Sequence, residues 1–526
     1  MKQTNTSCKS AAIDKTLMIP SLIVTLLISI PLVVFQEQGT KFVTMIFNGF
    51  TFNFKWLFLI YGFFCVTFII WLSFSKWGKV KFGAPEDKPE YSTYKWIAMM
   101  FCAGIGISLA RWAFFEPAAY IGNPPMGIVP NSSEAAEWAG MLGQFHWGLT
   151  PWSIYALPAF PIAYAIHVKK LSALRFSTAC KGILGKKADG IIGKIIDVLV
   201  IFGMIGGIGT SLGLAVPLVS ALIAHFLGLS QSVFLQMAVL LAFVGITCIS
   251  VFFGLQKGIA KLYDIKTYLA YFLLVFVLIA GPTIFILNTW VNSIGLMVQN
   301  FIRLSLFTDP ISHTGFTESW TVFYWSWWIS YSPMMGLFVA KISKGRTIRE
   351  LAICELTFAS LGNWMFFAVW GGYSINLQVN NILNLTQLIK ELPPEQTIVA
   401  ILNTLPLEWL IIPVYAILCL VFLSGTISSS AYTLASQVQK KISGDEEPRS
   451  IISVTWTILL GIYAAGLLLT GGITSVQLSS VMLGFPLIFI TIIMVMSLMK
   501  WLHEDYGPIL KTPKIALDPK DIKPVK

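Results

Sequence analysis

The segment WTVFYWSWWISYSP, residues 320–333, contains four tryptophans and two tyrosines. If a helix begins near residue 319, Trp325 and Trp328 lie on the order of 9–14 Å inside it at 1.5 Å of rise per residue. That depth is close to the centre of a bilayer core about 30 Å thick. Belts of tryptophan and tyrosine lie near the headgroups instead, so these two rings need another explanation.

A second aromatic group occurs in FHWGLTPWSIY, residues 145–155. Trp147, Trp152 and Tyr155 fall within an arc of roughly 140° at helical spacing, and Gly148 and Pro151 allow a bend. Two aromatic faces without a nearby carboxylate suit a methylated ammonium group, which each ring can attract with up to about 2 kcal/mol when desolvated. Ordinary aromatic packing between helices is the alternative interpretation.

The composition indicates which environment holds these rings. The chain has 526 residues, of which 56% are hydrophobic and 12% charged, and soluble domains have about 25% charged residues. Apolar runs long enough to span a bilayer occur near 17–35, 54–74, 95–120, 138–167, 191–226, 232–254, 260–289, 319–341, 350–373, 408–437, 450–470 and 475–501. We therefore predict an all-α membrane protein with twelve transmembrane helices, since continuous runs of this length do not fit barrel strands.

The distribution of lysine and arginine predicts the orientation. Basic residues concentrate in alternate loops, including the run from Lys169 to Lys194, whereas the opposite loops contain only Lys41, Lys55, Arg303 and Lys390. Cytoplasmic loops retain positive charge, so both termini should be cytoplasmic in a multi-pass protein of the inner (plasma) membrane. The same asymmetry accounts for most of the net charge of +11, and we expect lipid but no nucleic acid as a partner.

Two predicted helices contain small residues or proline near their middle. Helix 3 contains CAGIGIS (102–108), with Gly104, Gly106 and Ser108, and helix 8 contains ISYSPMMG (329–336). Transporters with inverted repeats bind substrate where corresponding helices unwind, so helices 3–7 and 8–12 are candidate five-helix repeats. Close helix packing through small residues is the alternative.

The predicted organisation is a tail (1–16), helices 1–2 with a linker (17–94), the first repeat (95–290), an amphipathic connecting helix (291–318), the second repeat (319–501) and a C-terminal tail (502–526).

Enzymatic chemistry is not expected. The five histidines are isolated, the seven cysteines are scattered, and the sequence has no HExxH or paired-carboxylate pattern. We therefore predict no catalytic residue, metal site or cofactor. A channel is a further alternative, but a closed aromatic cage would bind a solute too tightly for rapid conduction.

The sequence resembles the betaine/carnitine/choline transporter family over nearly its whole length. The matching motifs are WTVFYWSWWISYSPMMGLFVAKISKGRTIRE, FHWGLTPWSIY, AGIGIS followed by FFEP, GTSLGLA and GLQKG. The resemblance implies twelve helices, inverted repeats, alternating access and a homotrimer that forms contacts through the amphipathic helix before helix 8. It also implies an aromatic box of Trp147, Trp152, Tyr155 and Trp328, with Trp327, Tyr331 and Met335 lining the substrate route as in the carnitine/γ-butyrobetaine exchanger branch.

The chain also departs from the family. Choline-carrying members have an aspartate where this sequence has Ser108, and sodium-coupled members have a Thr-Ser pair where it has Ile427 and Ser428. Lys266 resembles the position of a fixed arginine in sodium-independent exchangers, which would point it towards Ser428, Ser429 and Ser430. Alternatively, Lys266 reaches the cytoplasmic surface or pairs with Asp264. Arg111 could pair with Glu116 or contact substrate.

These observations predict a secondary transporter for trimethylammonium solutes, of the carnitine, γ-butyrobetaine, betaine or trimethylamine/trimethylamine N-oxide type. Sodium-independent exchange is the predicted mode of transport. The alternative is a sodium- or proton-coupled betaine or choline symporter that serves osmoprotection.

Overall fold

The structure is a computed structural model that describes residues 13–23, 36–103, 106–171, 175–253, 260–439, 448–469 and 473–509. Within these ranges the regular elements are helices, and β-structure is limited to isolated bridges between Ile13 and Gln439 and between Lys81 and Thr347. The predicted all-α fold class is therefore confirmed for the part of the chain that the structure describes.

The helices follow one another with short connections. In chain order they are α1 (15–23), α2 (Gln36–Phe74), α3 (Thr93–Ala103), α4 (Ile107–Gly122), α5 (Ser133–His146), α6 (Leu149–Ala163), α7 (Phe176–Ala179), α8 (Lys181–Leu184), α9 (Ile191–Leu227), α10 (Val233–Phe252), α11 (Ala260–Ala280), α12 (Thr283–Ser305), α13 (Phe323–Ile342), α14 (Ile348–Cys354), α15 (Ser360–Phe366), α16 (Gly372–Val379), α17 (Leu385–Glu391), α18 (Pro394–Leu402), α19 (Glu408–Gln437), α20 (Ser450–Leu469) and α21 (Ile473–Tyr506). Turns of π-helix at Glu355–Ala359 and Phe367–Gly371 join α14, α15 and α16 into one path.

Several of these helices could cross a membrane. Among the described residues, seven are long and apolar enough, and an eighth is added if the bent pair α11–α12 forms one span. This agrees with a multi-pass helical membrane protein. The count of twelve spans and the inverted repeats remain predictions, and part of the first predicted span (17–35) lies outside the described residues.

The predicted span 260–289 ends earlier than expected. Helix α11 stops at Ala280, and α12 begins at Thr283 after a turn of 108°. Gly281 and Pro282 cause this break because glycine is flexible and proline donates no backbone hydrogen bond. The Thr283 hydroxyl donates to the carbonyl of Leu278 at 2.6 Å, which satisfies an acceptor at the end of α11. The connecting amphipathic helix therefore begins at residue 283 rather than 291.

The interruption predicted in helix 3 is present. Helix α3 ends at Ala103 and α4 begins at Ile107, and Gly106 between them has extended backbone (φ −143°, ψ −179°). Ser108 lies in the first turn of α4, and Gly104 lies outside the described residues. The N-terminus of α4 therefore starts in the interior of the protein.

The interruption predicted in helix 8 is absent, because α13 is continuous through Pro333. Proline at this position removes the hydrogen bond that the carbonyl of Ile329 would accept in an α-helix. The hydroxyl of Ser332 donates to that carbonyl at 2.8 Å instead. A neighbouring side chain thus satisfies the released acceptor, and the helix has no reason to unwind.

Glycines allow α13 to pack closely against its neighbours. A Cβ atom on Gly336 would lie 2.8 Å from Cγ of Pro158 in α6, and one on Gly207 of α9 would lie 3.1 Å from the Tyr331 ring. Glycine permits these approaches without displacement of the neighbouring side chains. As a result, the aromatic face of α13 lies directly against α6 and α9.

Candidate substrate-binding site

A cavity lies beside the break between α3 and α4. Its lining side chains come from α4, α6, α9, α11, α13 and α19, together with Gly106 and Trp147 at two helix breaks. Among the described residues that line it, none carries a carboxylate, and Lys266 is the one charged residue. The cavity is therefore a largely aromatic chamber with a single cationic side chain.

The four aromatic residues of the predicted box are brought together. Trp328 is the centre of the group, with its ring centroid 4.5 Å from that of Tyr155, 5.4 Å from that of Trp147 and 6.0 Å from that of Trp152. Trp147, Tyr155 and Trp328 line the cavity, whereas Trp152 is fully buried and packs edge-on against Tyr155 at 5.7 Å. Three rings thus face the cavity, and the fourth supports two of them.

The other predicted lining residues are also at the cavity. Trp327, Tyr331 and Met335 all line it, as expected from their positions on α13. The Tyr331 hydroxyl donates to Oγ of Ser211 at 2.8 Å, which connects α13 to α9. Sequence reasoning did not assign Ser211 to the site, although it lies in the GTSLGLA motif.

A buried carboxylate positions one wall of the cavity. Glu116 of α4 is fully buried and accepts hydrogen bonds from Nε1 of Trp147 at 2.9 Å, from the hydroxyl of Tyr120 at 2.9 Å and from that of Tyr324. A buried carboxylate without hydrogen-bond donors would be costly in free energy. With these three donors, Glu116 holds aromatic rings from three elements in one arrangement. Sequence reasoning missed this role because two of the three donors, Trp147 and Tyr324, lie 31 and 208 positions away in the sequence.

Glu116→Gln is expected to weaken binding of a trimethylammonium solute about three- to tenfold, because a neutral amide has only one oxygen acceptor for three donors. The orientation of Trp147 should then become less defined, and the melting temperature of the purified protein should fall. Titration of tryptophan fluorescence measures the affinity. Glu318→Gln is a matched control. Glu318 forms an ion pair with Lys55, with 2.6 Å between the charged atoms, and neither residue lines the cavity. Unchanged affinity in Glu116→Gln would contradict a positioning role.

Lys266 is buried rather than exposed. It is 2% exposed and lines the cavity together with Gly106, Ser108 and Thr426. Its side chain therefore does not reach the cytoplasmic surface, and the side chain of Asp264 lies outside the described residues. Lys266 thus shares the cavity lining with the start of α4 and with Thr426 of α19.

The serines expected opposite Lys266 form hydrogen bonds within α19. The hydroxyls of Ser428, Ser429 and Ser430 donate to backbone carbonyls one turn earlier in α19, and Ser430 also contacts Sδ of Met334 at 3.1 Å. None of the three lines the cavity, whereas Thr426 does. The contribution of α19 to the cavity therefore comes from Thr426, two to four residues before the predicted serines.

Arg111 does not pair with Glu116. Its Nη1 donates to the carbonyl of Leu214 at 2.7 Å, and Nη2 lies 3.7 Å from Oε2 of Glu395 in α18. Five residues correspond to a rotation of about 140° around a helix, so Arg111 and Glu116 point in different directions. Of the two roles left open for Arg111, pairing with Glu116 is therefore not the one found, and the arginine connects α4 to α9 and α18.

Comparison with known proteins identifies the type of protein that contains this cavity. A model of the betaine/carnitine/choline family transporters (BCCT) matches residues 16–507. The chain belongs to this family. It is therefore a membrane transporter rather than an enzyme, and the resemblance inferred from its motifs is confirmed.

Two transporters from other bacteria are similar to the chain over most of its length. The uncharacterized transporter YeaV of Escherichia coli (strain K12) is 33% identical over 442 residues, which cover 84% of this chain and 92% of the relative. A carnitine transporter of Acinetobacter baumannii (strain ATCC 19606) is 31% identical over 497 residues, which cover 94% of this chain and 90% of the relative. The second relative agrees with the predicted similarity to the carnitine branch.

Proposed function

We propose that this BCCT transporter carries solutes with a trimethylammonium group, such as carnitine, γ-butyrobetaine, betaine or trimethylamine N-oxide, by alternating access. The main support is the ring arrangement around Trp328, with Tyr155 at 4.5 Å and Trp147 at 5.4 Å beside a common cavity. A trimethylammonium group offers diffuse charge and no N–H donor, so aromatic faces can hold it without an acceptor.

A panel of methylated amines tests the substrate class. Purified protein is titrated with carnitine, γ-butyrobetaine, glycine betaine, choline and trimethylamine N-oxide, and binding is followed by tryptophan fluorescence. The control for each solute is its analogue with carbon in place of the positively charged nitrogen, which keeps the shape but lacks the positive charge. Cation–π attraction predicts that the ammonium solute binds at least about tenfold more tightly than its carbon analogue. Equal binding of both would exclude the proposed recognition.

Sodium-independent exchange is the transport mode that we propose. The support is Lys266, a basic side chain that is buried and lines the cavity together with Ser108 and Thr426. A coupled symporter instead binds a cation during each cycle. The two modes differ in their need for external sodium and for a counter-solute.

Both termini are proposed to be cytoplasmic in the inner membrane. The support is the concentration of lysine and arginine in alternate loops of the sequence. A reporter that is active only in the cytoplasm, fused after residue 526, should give a signal. A signal from a periplasm-specific reporter at the same position would reverse the orientation.

The transporter is further proposed to be a homotrimer that forms contacts through α12. Ile284, Val291, Val298 and Ile302 lie on one face of this helix and are each more than half exposed, whereas Met297 and Leu304 on another face are buried. A continuous apolar stripe on a helix with a polar remainder is typical of an interface.

Val298→Glu is expected to shift the trimer towards monomers, because a charge in an apolar interface loses hydration without gaining a partner. Native mass spectrometry of the purified protein measures the distribution. The control Asn292→Glu adds the same charge to α12 at about 100° from the stripe and should leave the trimer intact. Equal distributions for the two variants would argue against this interface.

A further inference from the structure

A second cavity lies on the side of the protein that the charge distribution predicts to face outward. We call it the outer cavity, and it is lined by residues that include Ala221 of α9 and Gln396 and Val399 of α18. The same helix α9 contributes Ser211 to the aromatic cavity. Ser211 and Ala221 are about 15 Å apart along the helix axis, so the segment of α9 between them separates the two cavities.

Arg111 lies in this region. Arg111 lies one turn of α4 after Ile107 and Ser108, and these two residues line the aromatic cavity. Its guanidinium donates to the carbonyl of Leu214, which lies between Ser211 and Ala221 in α9, and it faces Glu395, the neighbour of Gln396. The cationic group is therefore placed between the two cavities.

The guanidinium has unused hydrogen-bonding capacity. Arg111 is only 2% exposed, and its Nε is buried without a hydrogen-bond partner. The Glu395 oxygen lies 3.7 Å away, beyond the 2.7–2.9 Å that is typical of a charge-assisted hydrogen bond. An arginine presents five donors in a planar arrangement that fits a carboxylate through two parallel bonds. The chemistry of this group thus matches a carboxylate that approaches more closely than Glu395.

We infer that Arg111 binds the carboxylate of a zwitterionic trimethylammonium solute as it moves from the outer cavity to the aromatic cavity. When no solute is present, the Glu395 carboxylate faces the guanidinium of Arg111 at 3.7 Å. This inference rests on the proposed function and narrows its substrate class to betaine-like zwitterions. The aromatic rings recognise only the ammonium end, so a second group is needed to distinguish a zwitterion from a simple cation.

Uptake by cells that express the full chain tests the inference with two probes. Gamma-butyrobetaine carries a carboxylate, whereas butyltrimethylammonium has the same trimethylammonium end without one and is measured as a competitor. In Arg111→Gln, kcat/KM for γ-butyrobetaine should fall about tenfold or more, as expected for loss of a charge-assisted bond. The inhibition constant of butyltrimethylammonium should stay within about twofold, because cation–π contacts are unchanged.

Two further variants keep the test informative. Arg111→Gln combined with Glu395→Gln removes both charges, so no buried carboxylate loses its partner, and the selective loss for γ-butyrobetaine should persist. Lys55→Gln disrupts an ion pair of 2.6 Å that lies outside both cavities, and it should leave the ratio of the two constants unchanged.

The outcomes separate this inference from the proposed function. Suppose that the wild type takes up γ-butyrobetaine. The role of Arg111 would then be overturned if the double variant lost both probes equally, or if it lost neither. A wild type that neither transports γ-butyrobetaine nor responds to butyltrimethylammonium would overturn the proposed function itself.

Discussion

Transport by the Lys266→Ala variant is expected to fall to about a tenth of the wild-type rate or less. Lys266 is 2% exposed at a cavity wall that also contains Gly106 and Thr426, and alanine would remove its charge and its donors from this site. Loss of a charged hydrogen-bonding group costs about 1.5–3 kcal/mol, which corresponds to a factor of ten or more. Exchange of labelled for unlabelled γ-butyrobetaine in proteoliposomes measures the rate.

The same assay tests the coupling mode. In the proposed mode, the Lys266 ammonium does the electrostatic work of a bound sodium ion. Wild-type exchange should then be unaffected when potassium replaces sodium, and it should require solute on the opposite side. In Lys266→Ala, added sodium should restore part of the lost activity. Wild-type uptake that collapses without sodium would support the coupled symporter instead.

A conservative variant distinguishes charge from packing. Lys266→Arg keeps a positive group of similar length and should retain much more exchange activity than Lys266→Met, which keeps the length without the charge. Equal activity of these two variants would show that the lysine contributes only volume. Gel filtration of each variant checks that the fold is intact.

Trp328→Leu is expected to weaken binding of trimethylammonium solutes by about tenfold or more. Trp328 lines the cavity and lies within 6.0 Å of the other three rings of the box, so its loss removes a cation–π face worth about 1–2 kcal/mol. Trp152→Leu should have an effect of similar size by a different route, because Trp152 supports Tyr155 and Trp328 from behind.

The carbon analogues separate ring loss from general damage to the site. In Trp328→Leu, the ammonium solute should lose affinity while its carbon analogue changes little, since only the ammonium group depends on cation–π attraction. Trp325→Leu is the matched control, because Trp325 packs against Phe145 at 5.5 Å and does not line the cavity. Unchanged affinity in both Trp328→Leu and Trp152→Leu would refute the assignment of the box.

The sequence alone determined the class of the protein and most of the aromatic cavity. Apolar runs predicted long helices such as α19 within one residue, because burial in lipid requires a continuous apolar stretch. The motifs identified the family and the positions of Trp147, Trp152, Tyr155 and Trp328. These features are legible because each depends on residues that are close together in the chain.

Other features depend on contacts between distant segments, and only the tertiary structure decided them. Local sequence around Pro333 favours a break, but the hydroxyl of Ser332 keeps α13 continuous. The donors to Glu116 include Trp147 and Tyr324, which belong to other helical segments. The acceptor for Arg111 is the carbonyl of Leu214, which lies 103 positions later in the chain. Helical periodicity specifies which face a residue occupies, whereas hydrogen-bond partners of buried polar groups depend on which helices pack together.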